Sequence, residues 1–325
     1  MNPVRLPQRQ RGVALIIALI LVALATILAT KLSFDGYIER QRTVGVLAAE
    51  QALQFSFGAE ALAADGLAQM PATQMTLADP WAQPVPPMPI TPQSDPEGEP
   101  IGTVAGLLED MQGRFNLNTL GRNLAGTAQP DPVPLAMFQR LLVNLGIEPK
   151  WGAMVRDWID ADETVSQDGA EDSVYSQQNP PYRTGNFPML SGSELLNLPG
   201  FGADRYRKIA PYVTALPAAD TKINICTAPA PVLESLADNL RGEFGTPEVL
   251  ANARKQGCFP DQKTLQAIIG AKNWSSVQNY QDIKTNYFRL TTLVTLGTSE
   301  FTLYSLLANS GTGKYTPILR SFGTP

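Results

Sequence analysis

Between Pro7 and Pro71 the chain contains no proline, and the first third of that interval, from Val13 to Leu32, is apolar except for Thr26, Thr30 and Lys31. A bilayer-spanning helix takes about 20 mostly apolar residues, whereas the core of an ordinary secretory signal takes about 7 to 15. The run is therefore long enough to be an anchor. A signal cut after Ala25 or Ala29 remains the alternative reading. Arg5, Arg9 and Arg11 precede the run without any acid, so the positive-inside bias keeps the leader cytoplasmic and sends everything after Phe34 across the membrane. A helix continued from Val13 to Asp65 is about 80 Å long, far more than the bilayer is thick. Its second half must stand outside. There Ile38, Leu47, Leu53, Phe57 and Leu62 recur near multiples of a helical turn, with Glu39, Arg40, Arg42, Glu50 and Glu60 between them. This predicts one face packed against a folded domain. Gly36, Gly45 and Gly58 each weaken the helix by about 1 kcal/mol relative to alanine.

Charge and composition exclude several function classes. The 325 residues include 25 basic and 30 acidic ones, for a net charge of −5, and three of the basic residues lie in the leader. Such a surface repels polyanions, which argues against a nucleic-acid partner. There is no histidine, which removes the commonest general base, the Ser-His and Cys-His nucleophile pairs and most zinc and iron sites. Any catalysis would have to run on carboxylates, and the expectation is a chain that is not an enzyme. Two cysteines, Cys226 and Cys258, in an exported chain most simply form a disulfide, worth about 3 to 4 kcal/mol in the chain-entropy model. Two buried free thiols are the alternative.

From Pro71 to Pro100 nine prolines fall in 30 residues, which predicts an extended connection with neither helix nor central strand. "IGTVAGLLEDMQGRFNLNTL" then reads as two short strands either side of a turn at Gly113 and Arg114. From Pro132 to Pro217 the spacing becomes helical, in "PLAMFQRLLVNLGI", "KWGAMVRDWIDAD" and "SGSELLNLPGFGADRYRKIAPYV", each bounded by Gly, Pro or Ser. The tail, "YFRLTTLVTLG", "EFTLYSLLANS" and "YTPILRSFG", is β-branched and aromatic in short segments and predicts an antiparallel meander.

Two constellations invite a chemical reading. "LPGFG" at Leu198 to Gly202, between "SGSELLN" and a helix, has the shape of a helix-hairpin-helix turn, which in nucleic-acid binders aims backbone amides at a phosphate. Only Arg205, Arg207 and Lys208 lie near it, so a structural hairpin is expected, with an exported, competence-type DNA-binding module as the rival. The second constellation crowds Asp157, Asp160, Asp162, Glu163, Asp168, Glu171 and Asp172 into one loop. Unpaired, these carboxylates raise one another's pKa, and a hard divalent cation removes the conflict. An EF-hand is excluded because its sixth position would be Val165 where glycine is required, and Pro180 and Pro181 follow too soon for a second helix. An irregular calcium loop built from Asp160, Asp162, Glu163, Asp168, Glu171 and Asp172 is the expectation, and a solvated acidic turn the alternative. A carboxylate pair of the glycosidase kind has nothing here to tell acid from base.

A basic leader ending in Gly12, followed by an apolar helix that continues far outside, resembles the class III signal of type IV pilins and type II secretion pseudopilins. The resemblance implies cleavage after Gly12 by a prepilin peptidase and methylation of the new amino terminus at Val13. Most members of that family carry glutamate at the fifth mature position, where this chain has Ile17. Lack of that glutamate, together with "GRFNLNTL", "DWIDADE", "GAEDS", "PPYRTGN" and "INICTAPAPVL", is similar to the K-type minor pseudopilins, over nearly the whole chain. The resemblance implies an α+β fold in which a pilin-like long N-terminal helix packs on an antiparallel sheet, with a large inserted α-helical domain of the SAM-like or helix-hairpin-helix-like kind. The implied divisions are a leader at 1–12, a transmembrane part at 13–32, and the rest of the helix with the Pro-rich connection and first strands at 33–120. The inserted domain with its calcium loop then spans 121–218, and the remaining pilin-like part 219–325. Implied partners are the I-type and J-type minor pseudopilins, then the H-type and the major pseudopilin, at the tip of a periplasmic pseudopilus held in the inner membrane. The implied assembly helix presents Ile17, Ile38, Leu47, Leu53 and Phe57.

Overall fold

The computed structural model describes residues 11–70, 73–83, 85–92, 95, 97–311 and 313–324. The leader before Arg11 lies outside the described residues. Helix α1 runs without interruption from Arg11 to Ala68, as the proline-free interval predicts. From Val13 to Leu32 its apolar side chains are exposed, and its most apolar window has a mean hydropathy of 2.9 and is 0% buried. This helix is a candidate membrane span. Gly36, Gly45 and Gly58 leave it unbroken, with open space beside each.

The outer end of α1 lies across a five-stranded antiparallel sheet formed by β1 (Met88–Ile90), β2 (Gly102–Asp110), β7 (Tyr287–Leu296), β8 (Ser299–Asn309) and β9 (Tyr315–Phe322), in that spatial order. Strands β7 to β9 are the expected meander. Alternation along β7 buries Phe288, Leu290, Thr292, Val294 and Leu296 toward α1, as a half-covered sheet requires. The Pro-rich connection contributes one element of the sheet, the edge strand β1, where Pro89 removes a ladder donor at little cost.

The face by which α1 meets the sheet differs from the one its large apolar residues predict. The buried positions are Ala52, Ser56, Glu60 and Leu67, whereas Leu47 and Leu62 are exposed and Leu53 and Phe57 half-buried. Small residues at 52 and 56 let the helix sit close to the strands. Glu60 accepts two hydrogen bonds from Arg320 of β9, at 2.7 and 2.9 Å, and Arg320 also lies 4.8 Å above the Phe57 ring. Burial is the largest influence and opposes the Glu60 charge, but the hydrogen bonds and charge of Arg320, together with Ser305, outweigh it and hold the carboxyl below its usual pKa.

Between β2 and its sheet neighbour β7 the chain inserts a helical body. The expected strand–turn–strand at Gly113 does not form a hairpin. Asp110 accepts from the Gln112 amide and Asn116 from the Asn118 amide, and each caps a 3-10 turn that carries the chain off the sheet. The second segment, β3 (Phe115–Asn116), instead pairs in parallel with β4 (Val213–Thr214). The body comprises α2 (Pro132–Asn144), α3 (Trp151–Ile159), α4 (Asp172–Tyr175), α5 (Gly202–Ile209), α6 (Ala230–Glu234), α7 (Pro247–Ala253), α8 (Gln262–Ile269) and α9 (Ala271–Val277). One hydrophobic core unites them, running from Phe115 to Val277. No core boundary falls near 218, so α6 to α9 belong with the helices before them, and strand pairing with the main sheet resumes only at Tyr287. A parallel pair, β5 (Ile223–Asn224) with β6 (Gln281–Asp282), leads the chain back.

Cys226 and Cys258 are joined in a disulfide. Beside it the buried Arg254 donates to the main-chain oxygens of Ile225, Ala228 and Phe259 at 2.7 to 2.8 Å, tying together the two segments that carry the cysteines.

At the neck between sheet and body, buried Asp110 accepts from Asn224 Nδ2 and Thr227 Oγ1, each at 2.7 Å. Gln112 donates to Lys222 O at 2.8 Å and accepts from the Asn286 amide at 2.6 Å. Replacing Asp110 with alanine strands buried donors on Asn224 and Thr227, for an expected loss of about 3 kcal/mol. Chemical denaturation of the extramembrane part of Asp110→Ala checks this, and a loss under about 1 kcal/mol would show that the neck network carries no weight.

Candidate metal centre

The acidic loop begins at the C-terminal end of α3. Asp157 is fully buried there, one turn before the chain leaves the helix at Asp160, which adopts an extended conformation. The loop folds back over Asp157, and the Ser166 amide donates to Asp157 Oδ2 at 3.0 Å. Asp162 caps its own turn by accepting from the Thr164 amide at 2.8 Å. Asp168 takes a left-handed backbone with φ of 64°, and the next residue, Gly169, lies so close that a β-carbon would collide with the Asp157 carboxylate. Glycine is needed at 169 for this close approach. The chain then enters the short helix α4 behind Glu171, which is buried.

This path gathers one carboxylate oxygen from each of Asp160, Asp162 and Glu171 within 4.8 Å of one another. Three more acids of the expected set lie differently. Glu163 and Asp168 are exposed outside the trio. Asp172 accepts from the Thr184 amide and hydroxyl, at 2.9 and 2.8 Å, with Arg183 beyond at 3.6 Å; those bonds hold its pKa below the usual carboxylate range and latch the following loop to α4. Asp157, crowded with the others in sequence but left out of the expected ligands, proves to be the most buried acid of the loop. Only the collision at Gly169 reveals why, and that is invisible without coordinates.

Electrostatically the site is frustrated. Asp157 Oδ1, Asp160 Oδ1 and both Glu171 carboxylate oxygens are buried without a hydrogen-bond partner, and so is Asn186 Oδ1 on the loop latched by Asp172. Arg156 is the cation whose charge acts on Asp160. Burial, then the charges of Asp157 and Asp162, push Asp160 up to about 6. Burial and the surrounding Asp157, Asp160, Asp162 and Asp172 push Glu171 up to about 7. An unpaired buried acceptor costs about 1 to 3 kcal/mol, more when charged, so the loop holds its acids together against their own repulsion. The donors are all oxygen, which suits a hard divalent cation.

The other constellation is structural. The residues before "LPGFG" form a 3-10 turn capped by Ser191 and Glu194, and Gly200 and Gly202 take φ of 82° and 75° to reverse the chain into α5. Leu195, Leu198 and Phe201 are buried in the core. Arg205 is committed inside the fold, donating to Glu148 at 2.6 and 2.9 Å and lying 5.3 Å from the Trp151 ring. Arg207 pairs with Asp204. These cations are spent on internal partners rather than aimed at an anion.

Known proteins share both the fold and the site-bearing region. The family model for protein K of the type II secretion system (T2SS) matches residues 113–218, which include the acidic loop. The chain is 33% identical to type II secretion system protein K of Pectobacterium carotovorum subsp. carotovorum over 97% of each chain. The chain belongs to the type II secretion system protein K family. It is likewise 33% identical to the protein K of Klebsiella pneumoniae over 93% of this chain and 94% of that one. A chain in the crystal structure of the GspK-GspI-GspJ complex from enterotoxigenic Escherichia coli superposes with a TM-score of 0.74 at 25% identity, covering 87% of this chain and all of that one. Protein K is a minor pseudopilin and a structural component of the secretion system, and the long helix on an antiparallel sheet with further helices is its fold.

With metal removed, the raised pKa values of Asp160 and Glu171 set the sign of the pH response. Each acid binds its proton more tightly folded than unfolded, so its ionisation penalises the fold fully above about 7 and the penalty fades as pH falls toward the unfolded value near 4.5. In chelator the protein is expected to melt at a higher temperature at pH 5.5 than at pH 8. Glu171→Gln should flatten that slope, and a wild-type profile falling toward acid would contradict it.

Proposed function

We propose that this protein K caps the tip of a periplasmic pseudopilus, where it joins I-type and J-type minor pseudopilins first and the H-type and major pseudopilins afterwards. The observation that carries the reading is the exposed apolar surface of α1 beyond any bilayer: Phe34, Tyr37, Val44, Val46 and Leu47 are each more than half exposed. Lipid covers only the first 20 or so residues of the helix. Partner helices of the same kind are the natural cover for the rest, to which Ile38 and Leu47 offer apolar side chains with the half-buried Leu53 and Phe57 at the margin, while Ile17 extends the stripe within the bilayer. The likeness to a chain of the GspK-GspI-GspJ complex supports the choice of first partners.

The helical body is the cap. Set on the neck at Asp110, it adds bulk where a further subunit would have to stack, and Ile17 supplies no carboxylate to neutralise the amino terminus of a subunit above. Initiation with limited length follows from both features. Prepilin peptidase cleaves after Gly12, Val13 becomes the methylated amino terminus, and α1 holds the processed chain in the inner membrane with its bulk in the periplasm. Calcium is the cation of the acidic loop, held by Asp160, Asp162 and Glu171 with Asp157 behind them. Bound there, it neutralises the crowded carboxylates and locks the loop between α3 and α4.

Three measurements test this reading. Membrane-purified protein should begin at methylated Val13; a start after Ala25 or Ala29 removes anchor and assembly helix together. Co-expressed I-type and J-type pseudopilins should co-purify with the full chain and be lost on Leu47→Asp, while absence of both from the wild-type preparation sinks the proposal. Calcium at about a hundredfold excess over its dissociation constant should add about 2.7 kcal/mol of stability, reversed by chelator. The Asp162→Ala protein should gain much less, and wild-type melting indifferent to calcium and chelator would leave the loop a solvated turn.

A further inference from the structure

A concave belt runs around the neck, from the face of the sheet opposite α1 round the end of β2 to Trp81 and Leu108. Two adjoining hollows, of about 400 and 260 Å³, share Arg114 and Pro211 in their walls. The larger lies between the helical body and the outer face of the sheet, with Leu190 and Leu319 at its apolar mouth, 70% and 49% exposed. At its floor two guanidinium groups share one carboxylate: Arg114 donates to Glu109 Oε1 at 2.8 Å, and Arg289 donates to Glu109 Oε2 at 2.6 and 3.0 Å. Glu109 and Arg289 are facing residues on β2 and β7. All three side chains remain partly open to solvent, at 18 to 29% exposure. Asp110, the other acid near Arg114, is buried and engaged by Gln112, Asn224 and Thr227. Arg114 thus spends one of its five N–H donors on a shared acid and keeps further donors for a ligand.

We propose that this belt is a docking groove for an extended polypeptide segment that carries one carboxylate between apolar side chains. The carboxylate seats on Arg114 and Arg289, where a planar guanidinium matches it in shape as well as charge. Flanking apolar side chains fill the space beside Leu190 and Leu319. The two joined hollows favour an elongated ligand over a compact one. The larger hollow, which holds both guanidinium groups, faces away from α1, so an occupant seated there does not compete with helices packed on the membrane-proximal stripe.

The test uses the full chain in detergent micelles and a fluorescent hexapeptide of leucines around one central aspartate, with its asparagine twin as control. Anisotropy should show the acidic peptide binding at least tenfold more tightly than the twin. Arg114→Gln should erase the difference. Because Arg114 also braces the neck, Leu190→Asp serves as the second variant: its side chain is exposed, its melting temperature should match wild type, and it should weaken the acidic peptide at least tenfold. Equal binding of the twins, no binding of either, or indifference to Leu190→Asp would overturn the proposal. So would phosphatidylglycerol vesicles displacing the peptide through the same two residues, since the groove would then read a lipid surface.

Discussion

Inserting a helical body between two neighbouring strands imposes a geometric constraint on which the rest of the fold depends. Paired strands run about 4.8 Å apart, so the insertion must leave β2 and return to β7 at nearly one point. Asp110 marks the departure and Phe288, its register partner, the return. The solution is a buried acid surrounded by neutral donors from segments far apart in sequence: Asn224 reaches it across 114 residues and Thr227 across 117. Gln112 spans the same gap from the other side through Lys222 and Asn286. Burial pushes the Asp110 pKa up against those hydrogen bonds, so its charge is tolerable only while every donor stays in place. Moving the body relative to the sheet would break several of these bonds at once.

Three buried acidic settings in one chain show three answers to the same desolvation cost. Asp110 is satisfied by neutral donors, and Glu60 by a forked pair with Arg320 that also fastens α1 to the last strand. The acids around Glu171 have only single donors, from the Ser166 and Thr164 amides, and the charge of Arg156 nearby, and four of their oxygens are orphaned. Evenly solvated acidic turns do not bury carboxylates in this way, because isolated buried charge is the costliest arrangement available to a fold. The proposed calcium supplies the missing counter-charge. Tyr175, fully buried with its ring 5.3 Å from that of Trp158, lies on the short helix that begins after Glu171.

How much of this the sequence discloses depends on whether the governing interaction is local. The length of α1 is legible because absence of proline acts residue by residue. Its packing face is not, since large apolar residues mark a seam only when the seam is greasy, and here Ala52, Ser56 and Glu60 form it while Leu47 and Leu62 turn outward. The β7 to β9 meander follows from alternation. Strand β3 does not, because its partner β4 lies about a hundred residues away, and the side chains of Asn116, which donates to Ala218 O and accepts from the Leu216 amide, and of Asn118, which donates to Leu216 O, help bring them together. The acidic loop is conspicuous by composition. Which acids converge is set by backbone reversals at Asp168 and Gly169, so Asp160, Asp162 and Glu171 meet while Glu163 and Asp168 do not.

The membrane end of α1 obeys a different balance. From Val13 to Thr30 there is no ionisable side chain, and charges bracket the run at Arg11 and Lys31. Twenty residues of helix rise about 30 Å, the thickness of a hydrocarbon core, so the bracket defines one register in the bilayer. Cleavage after Gly12, as proposed, removes Arg11 together with Arg5 and Arg9 and leaves only the amino terminus on the cytoplasmic side. In the proposed orientation the inner bracket is thereby reduced to a single charge, and Lys31 stands at the outer end of the apolar run. With isoleucine at 17, no carboxylate has to be dragged through lipid or left behind without a partner. A helix so constructed resists outward displacement mainly through the apolar area it uncovers, at about 25 cal/mol per Å², and in the proposed assembly partner helices that cover the same side chains return that free energy.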